Sequence, residues 1–290
     1  MIDQQPIATS TAGAGSRAND SDRPDRKHLL LIGCGAMGRR VLRQLRDDPS
    51  VDIAYVLEEA DRCAELRREL GDKPRVVSSL DDVVEKPDFA LECAGHGAVQ
   101  LTVLALLRSG VDVIVASVGA LAEPGLAEQL EAAALHGKSQ VTLIPGAIAG
   151  IDALSAAGAS GVDTVSYVGR KPPLAWTGTP AEELIDLNDV RSPTTIFSGN
   201  ARAAARTFPK NANVAAMIAL AGIGFERTEV TLVADPTVSN NTHTIHAKGQ
   251  FGELQITVSA RPLAENPKTS ELAALSVLRA IRNKVSAVVV

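Results

Sequence analysis

The first half of the chain alternates short apolar runs with stretches of helical spacing. Leu29, Leu30, Leu31 and Ile32 make the first run, long enough for a buried strand. A glycine-rich turn breaks it, after which Met37, Val41, Leu42 and Leu45 fall on one side of a helix. Val51 to Leu57 predicts a second strand and Asp61 to Leu70 a second helix. Short strands are expected at Arg75 to Val77 and Asp88 to Glu92, the latter leading into a helix within GHGAVQLTVLALLRSG. VDVIVAS predicts the next strand, EPGLAEQLEAAALHG the next helix and QVTLIP one more strand. Such alternation calls for a parallel sheet with helices on both faces.

After Pro145 the pattern changes. GAIAGIDALSAAGASG predicts a small-residue helix that crosses between domains. VDTVSYVGRK, PTTIFSGNA, FERTEVTLVADP, NTHTIHAKGQ and GELQITVSA then alternate apolar and polar positions, as antiparallel strands with one solvated face do. Helices at Ala201 to Thr207 and Val214 to Ala221 interrupt them. TSELAALSVLRAIRNKV predicts an amphipathic helix with Leu272, Leu275, Leu278 and Ile281 on one face, packed back on the first domain.

Composition narrows the class. The chain has 290 residues, 45% hydrophobic and 22% charged, as in an ordinary globular protein. A net charge of −5 and few aromatic residues argue against a nucleic-acid partner. No apolar run reaches membrane-spanning length. Three scattered cysteines, Cys34, Cys63 and Cys93, fit a reducing, cytoplasmic setting, and no Cys/His cluster points to a metal. Residues 1–26 are small and polar. They predict a disordered leader, without the apolar core of a secretory signal and too acidic for a transit peptide.

The turn after the first strand carries chemistry. Gly33, Gly35 and Gly38 have G-x-G-x-x-G spacing between a strand and a helix. The first glycine allows the sharp turn, the second lets the backbone approach a pyrophosphate, and the third lets helix and strand pack. Ala36 and Met37 lie inside this loop, and the helix N-terminus offers N–H groups to phosphate. Glu58 ends the second strand, where a carboxylate accepts the ribose hydroxyls; Glu59 is a weaker candidate. Ala94 and Gly95 end one later strand and Ala120 follows another, leaving room for a nicotinamide ribose. Glu58 favours NAD over NADP, whereas Arg62 could bind a 2′-phosphate, so NAD is expected with some use of NADP. Cys93 beside His96 reads as a small residue lining this cleft rather than a nucleophile. The expected architecture is α/β: a Rossmann-type doubly wound parallel sheet over 27–149, then a second α/β domain with a mixed or antiparallel sheet over 150–266. Residues 267–290 form the C-terminal helix.

The second domain must supply proton transfer and substrate contacts. His243 and His246 lie in one predicted strand; if Ile245 is buried, His243 shares its face and His246 does not. Spacing alone leaves His243 either a core residue or a catalyst. Arg170, Lys171, Lys210 and Lys268 sit in loop-like, Pro- or Asn-containing settings that suit anion binding.

GCGAMG, IPGAIAGIDAL, GRKPP, FPKNANVAA, NTHTIHAKGQFGE and NPKTSELAALS, in this order, resemble the L-aspartate dehydrogenase family. The resemblance covers about residues 27 to 290. It implies NAD(P)-dependent oxidative deamination of L-aspartate to iminoaspartate, which water converts to oxaloacetate and ammonia, and it implies a homodimer. It also implies that His243 is the catalytic histidine and that Ala147 and Asn213 contact the cofactor. Lys171, Lys210, Lys268 and Thr269 are then the candidates for holding the substrate carboxylates. Two other readings stay open: a neighbouring two-domain enzyme such as a homoserine dehydrogenase or dihydrodipicolinate reductase, and a non-catalytic dinucleotide sensor.

Overall fold

A computed structural model describes residues 26–209, 212–263 and 266–289, without the side chains of 266–269. The expected leader, apart from Arg26, and Lys210 lie outside the described residues, as do the side chains of Lys268 and Thr269.

The apolar runs of the first half become β1 (Lys27–Ile32), β2 (Val51–Leu57), β3 (Arg75–Val77), β4 (Phe89–Glu92), β5 (Asp112–Val115) and β6 (Val141–Leu143). They form one sheet in the order β3-β2-β1-β4-β5-β6, with every neighbouring pair parallel. Strand order therefore reverses beside β1, between the β1–β2 and β4–β5 halves. A ligand crevice opens there, beyond the carboxyl ends of the strands. Leu29 and Leu31 bury into one core while Leu30 and Ile32 bury into the other, which is why β1 reads as a continuous apolar run.

The second sheet is mixed. It contains β7 (Val162–Lys171), β8 (Thr194–Asn200), β9 (Glu229–Ala234), β10 (Asn241–Gly249) and β11 (Gly252–Ala260) in the order β11-β10-β7-β9-β8. β7 and β9 run parallel and the other neighbours antiparallel. Helices Ile151–Gly158, Ala201–Thr207 and Ala212–Ala221 cover one face, burying Leu154, Ala204 and Ile218. A short hairpin of β12 (Pro262–Leu263) and β13 (Asn266–Ser270), absent from the pattern-based expectation, leads into the last helix.

That helix, Glu271–Val285, buries Ala274, Val277, Leu278 and Ile281. Val277, Leu278 and Ile281 share a core with Leu29, Leu31 and Val41 of the parallel-sheet half. The expected face is therefore corrected: Leu275 is exposed, and the buried stripe passes through Ala274 and Val277 instead. Leu278 and Ile281 are buried as expected. The Arg40–Glu271 ion pair also joins this helix to the one after the glycine turn.

Candidate active site

Two connected spaces lie along the crevice. The first is a groove of about 670 Å³ over the glycine turn. Gly33, at φ +88°, packs where a Cβ would stand 2.6 Å from the Ala94 Cα. A Cβ on Gly38 would collide with the Gly33 carbonyl. A Cβ on Gly35, in contrast, would meet nothing within 4 Å, because it would enter the groove itself. This is the cradle a pyrophosphate requires, at the N-terminus of helix Ala36–Leu45.

Glu58 closes one end of the groove. Its side chain is buried; it accepts the Cys34 N–H at 2.5 Å and pairs with Arg62. Glu58 and Arg62 thus meet at the place where the second strand ends. Ala94 and Gly95 line the groove, and Met37 reaches onward into the second space. Ala36 and Ala120 line neither; Ala120 is buried in the turn Val118–Ala122. Ser117 of that segment is the residue that faces the second space.

Sequence inspection placed Glu92 at a strand end but gave it no role. Its buried carboxylate accepts the N–H groups of Ala94 and Gly95 at 2.9 and 2.8 Å. It also accepts the Ser117 N–H at 3.0 Å and the Ser117 hydroxyl at 2.8 Å. One acidic side chain thereby fixes both small-residue strand ends. A glutamate closing an otherwise apolar strand was the available signal.

The second space is a cavity of about 220 Å³ between the two sheets. The parallel sheet contributes Cys93 and Ser117, the crossing segment Pro145 to Ala147, and the mixed sheet Lys171, Asn241 and His243. Asn213, at the start of helix Ala212–Ala221, bridges the halves by accepting the Gly119 N–H at 2.8 Å. Cys93 borders both spaces. Its thiol donates to the Gly33 carbonyl at 3.2 Å, and burial raises its pKa well above the ordinary thiol value. That is the behaviour of a lining residue, not of a nucleophile.

Strand alternation aims the side chains. Ile245 and Ala247 are buried, and His243 shares their face at 5% exposure, while His246 is on the other. On β7, Tyr167, Gly169 and Lys171 line the cavity. Arg170 projects oppositely and pairs with Asp235 at 3.0 Å, so the adjacent cations Arg170 and Lys171 are separated and only Lys171 reaches the cavity. The Lys171 ammonium stands 4.9 Å over the Trp176 ring.

Burial decides the charges here. His243 is lowered to about 4, by desolvation first and by the Lys171 charge second. Lys171 is lowered to about 8 by desolvation. At neutral pH the cavity thus presents a neutral imidazole beside an ammonium that gives up its proton more easily than an exposed lysine. Tyr167, Asn241, Trp176 and Ser270, all lining this cavity, were not singled out from sequence. For Tyr167 and Asn241 the signal was the period of two that links them to Lys171 on β7 and His243 on β10; Trp176, in the turn after β7, and Ser270, at the end of β13, carried none.

Comparison with known proteins agrees with this geometry. The family model for the NAD-binding domain of homoserine dehydrogenase matches residues 33–143, and that for the C-terminal domain of aspartate dehydrogenase matches 152–284. The chain is 51% identical to an L-aspartate dehydrogenase of Ralstonia pickettii over 264 residues, covering 90% of this chain and 98% of that one. It is 48% identical to the Pseudomonas aeruginosa L-aspartate dehydrogenase over the same shares of each chain. The crystal structure of aspartate dehydrogenase from Thermotoga maritima superposes with a TM-score of 0.71 at 27% identity, over 92% of this chain and 100% of that one. The open cradle over Gly35 fits the dinucleotide that the matched NAD-binding domain requires, and the cofactor is NAD(P). With nine-tenths of its length matched to these relatives, the chain belongs to the L-aspartate dehydrogenase family.

Proposed function

We propose that this protein oxidatively deaminates L-aspartate to iminoaspartate, which is hydrolysed to oxaloacetate and ammonia, with NAD(P) as hydride acceptor. The observation that carries the reading is the meeting of His243 and Lys171, from the mixed sheet, with the carboxyl ends of the parallel strands around one cavity. We propose that residues 27–149 hold the dinucleotide, through Gly33, Gly35, Gly38, Glu58, Ala94, Gly95 and Ala147, with Asn213 of the second unit as a further contact. Residues 150–266 then supply catalysis and pair two copies into a cytoplasmic homodimer, and residues 267–290 brace the first unit.

The nicotinamide, when bound, supplies the acceptor for the hydride from substrate Cα. The chain's own residues do the rest. Lys171 pairs its charge with a substrate carboxylate, and Lys210, Lys268 and Thr269, near the cavity residues Asn213 and Ser270 in sequence, are the candidates for the second carboxylate. His243 is neutral, so its ring can accept a proton when the substrate ammonium becomes an amine. That proton passes to solvent; the ring then takes one from the water that adds to the iminium carbon and gives it to nitrogen, and the carbinol hydroxyl loses its proton as the C=O forms, the C–N bond breaks and ammonia leaves. The cavity between the two sheets holds Cα in line for transfer. Glu58, buried at the ribose end, disfavours a 2′-phosphate and sets a preference for NAD; Arg62 leaves NADP usable.

The reading is tested by absorbance at 340 nm with NAD or NADP and L-aspartate, against L-glutamate, L-alanine and L-homoserine. Turnover with aspartate alone is expected. Turnover with homoserine alone would move the chain's activity to a neighbouring reductase, and NADH binding without any turnover would make it a sensor.

A further inference from the structure

His243 and Tyr167 meet on one face of the mixed sheet. β7 and β10 are antiparallel, and His243 lies opposite Gly169. Tyr167 shares the face of Gly169 and is therefore the diagonal neighbour of His243. Its phenolic oxygen is 2.8 Å from His243 Nδ1. The two rings lie 21° from parallel with centroids 5.9 Å apart. Both side chains are buried, and among the described residues the phenol has no other hydrogen-bond partner.

Gly169 makes the contact possible. A Cβ built there would stand 2.5 Å from the phenolic oxygen and 3.1 Å from Leu232 Cδ2. Its φ is not in the left-handed region, so the position needs space rather than a special backbone.

We propose that Tyr167 is a positioning residue: its hydroxyl oxygen accepts a hydrogen bond from His243 Nδ1–H, which leaves the Nε2 lone pair facing the substrate. Gly169 is the gap that holds the phenol in place. This inference rests on the acid–base reading of His243. A neutral imidazole carries one proton, and the partner of one nitrogen decides what the other offers. Nδ1–H donates to the same oxygen before and after Nε2 takes a proton, so the ring need not turn during the reaction, and the phenol's own O–H is left for an acceptor in the cavity that Tyr167 lines. Burial pushes the Tyr167 phenol upward and keeps it neutral. It therefore orients the ring without the negative charge a carboxylate would add, in a cavity built to receive a dicarboxylate. The titratable groups that face His243 are Tyr167 and Lys171 on β7 and Cys93 after β4.

The test compares Tyr167→Phe, Gly169→Ala, the double variant and His243→Ala. The His243 tautomer is read by 15N NMR on the protein without added ligand, and kcat, KM and the pH profile are read with aspartate. The wild type should carry the proton on Nδ1, and Tyr167→Phe should move it largely to Nε2. Tyr167→Phe should lower kcat by about 10- to 100-fold, the range for losing the partner that orients a functional histidine. KM for the dinucleotide should stay within about twofold. The ascending limb of the pH profile should move to lower pH, because the imidazolium loses its acceptor. Gly169→Ala should act in the same direction. The double variant should lose less than the sum of the two single losses: the contact at 2.5 Å goes with the hydroxyl, while those at 3.0 Å to the ring Cζ and 3.1 Å to Leu232 Cδ2 remain.

An unchanged tautomer in Tyr167→Phe, an unchanged kcat and pH limb, or additive losses in the double variant would each overturn the inference. If His243→Ala is inactive while Tyr167→Phe matches wild type, the Tyr167 role alone fails. If His243→Ala keeps full turnover, the acid–base reading fails and the Tyr167 role fails with it.

Discussion

The two sheets build their halves of the site in opposite ways. At the carboxyl ends of the parallel strands the working surface is backbone and missing side chains: the open position over Gly35, and the small residues Ala94 and Gly95. The carboxylate of Glu92 turns inward to hold that backbone, and does not line either space. On the mixed sheet the working surface is side chains, with Lys171, Asn241 and His243 projecting from alternate positions of two strands. A long polyanion is gripped by close approach to many N–H groups. A proton moved at one atom needs a titratable group in a dry setting. The comparison teaches that the first half is specified by absence and the second by presence, and each can be broken in its own way.

The largest break falls on the mixed sheet. Under the proposed mechanism His243→Ala should lower kcat by about 10²- to 10⁴-fold, the usual contribution of a general acid–base group, measured by steady-state kinetics at saturating NAD and aspartate. Next, Lys171→Met should raise KM for aspartate by about 10- to 100-fold, as loss of a charge-assisted contact of about 1.5–3 kcal/mol implies. It should also change stability against pH. Lys171 titrates at about 8 in the folded protein against an ordinary 10.5, so the unfolded chain binds more protons between those values. Wild-type stability therefore rises with pH across that window, and urea titrations of Lys171→Met should lack that rise.

The parallel sheet breaks through its glycines, and each glycine differently. Gly38→Ala drives a methyl into the Gly33 carbonyl and should cost about 1–3 kcal/mol of folding stability by overpacking. Gly35→Ala meets no protein atom; it should fold normally yet bind NADH about tenfold more weakly, because its methyl enters the phosphate cradle. Equal loss of stability in both variants would erase the distinction between a packing glycine and a binding glycine. The smallest effect is expected at Arg62. Arg62→Ala should weaken NADP by about tenfold or less and leave NAD nearly unchanged, as removal of one phosphate contact predicts.

Legibility followed the same division. The glycine spacing, the strand before it and Glu58 after the second strand could be read directly, because a tight turn beside a buried strand leaves few residue choices. The mixed sheet was legible as strands but less so as a site. His243 could be aimed because its neighbours Ile245 and Ala247 are apolar, whereas Tyr167 reads as an ordinary buried aromatic until β7 is set beside β10. Arg170 and Lys171 look equivalent in sequence, and pleating sends one to Asp235 and the other to the cavity. The face of the last helix was half right: Leu278 and Ile281 are buried, but following leucine spacing alone put exposed Leu275 on it and left out Ala274 and Val277. The role of Glu92 escaped notice because three of its four hydrogen bonds come from backbone N–H groups, which carry no residue signature.

The most direct measurement of the division of labour is a calorimetric NADH titration of His243→Ala. The account predicts a Kd within about twofold of wild type in a protein whose aspartate turnover has collapsed. A Kd weakened in proportion to the lost turnover would contradict it, placing His243 in the fold or in dinucleotide binding instead of in proton transfer.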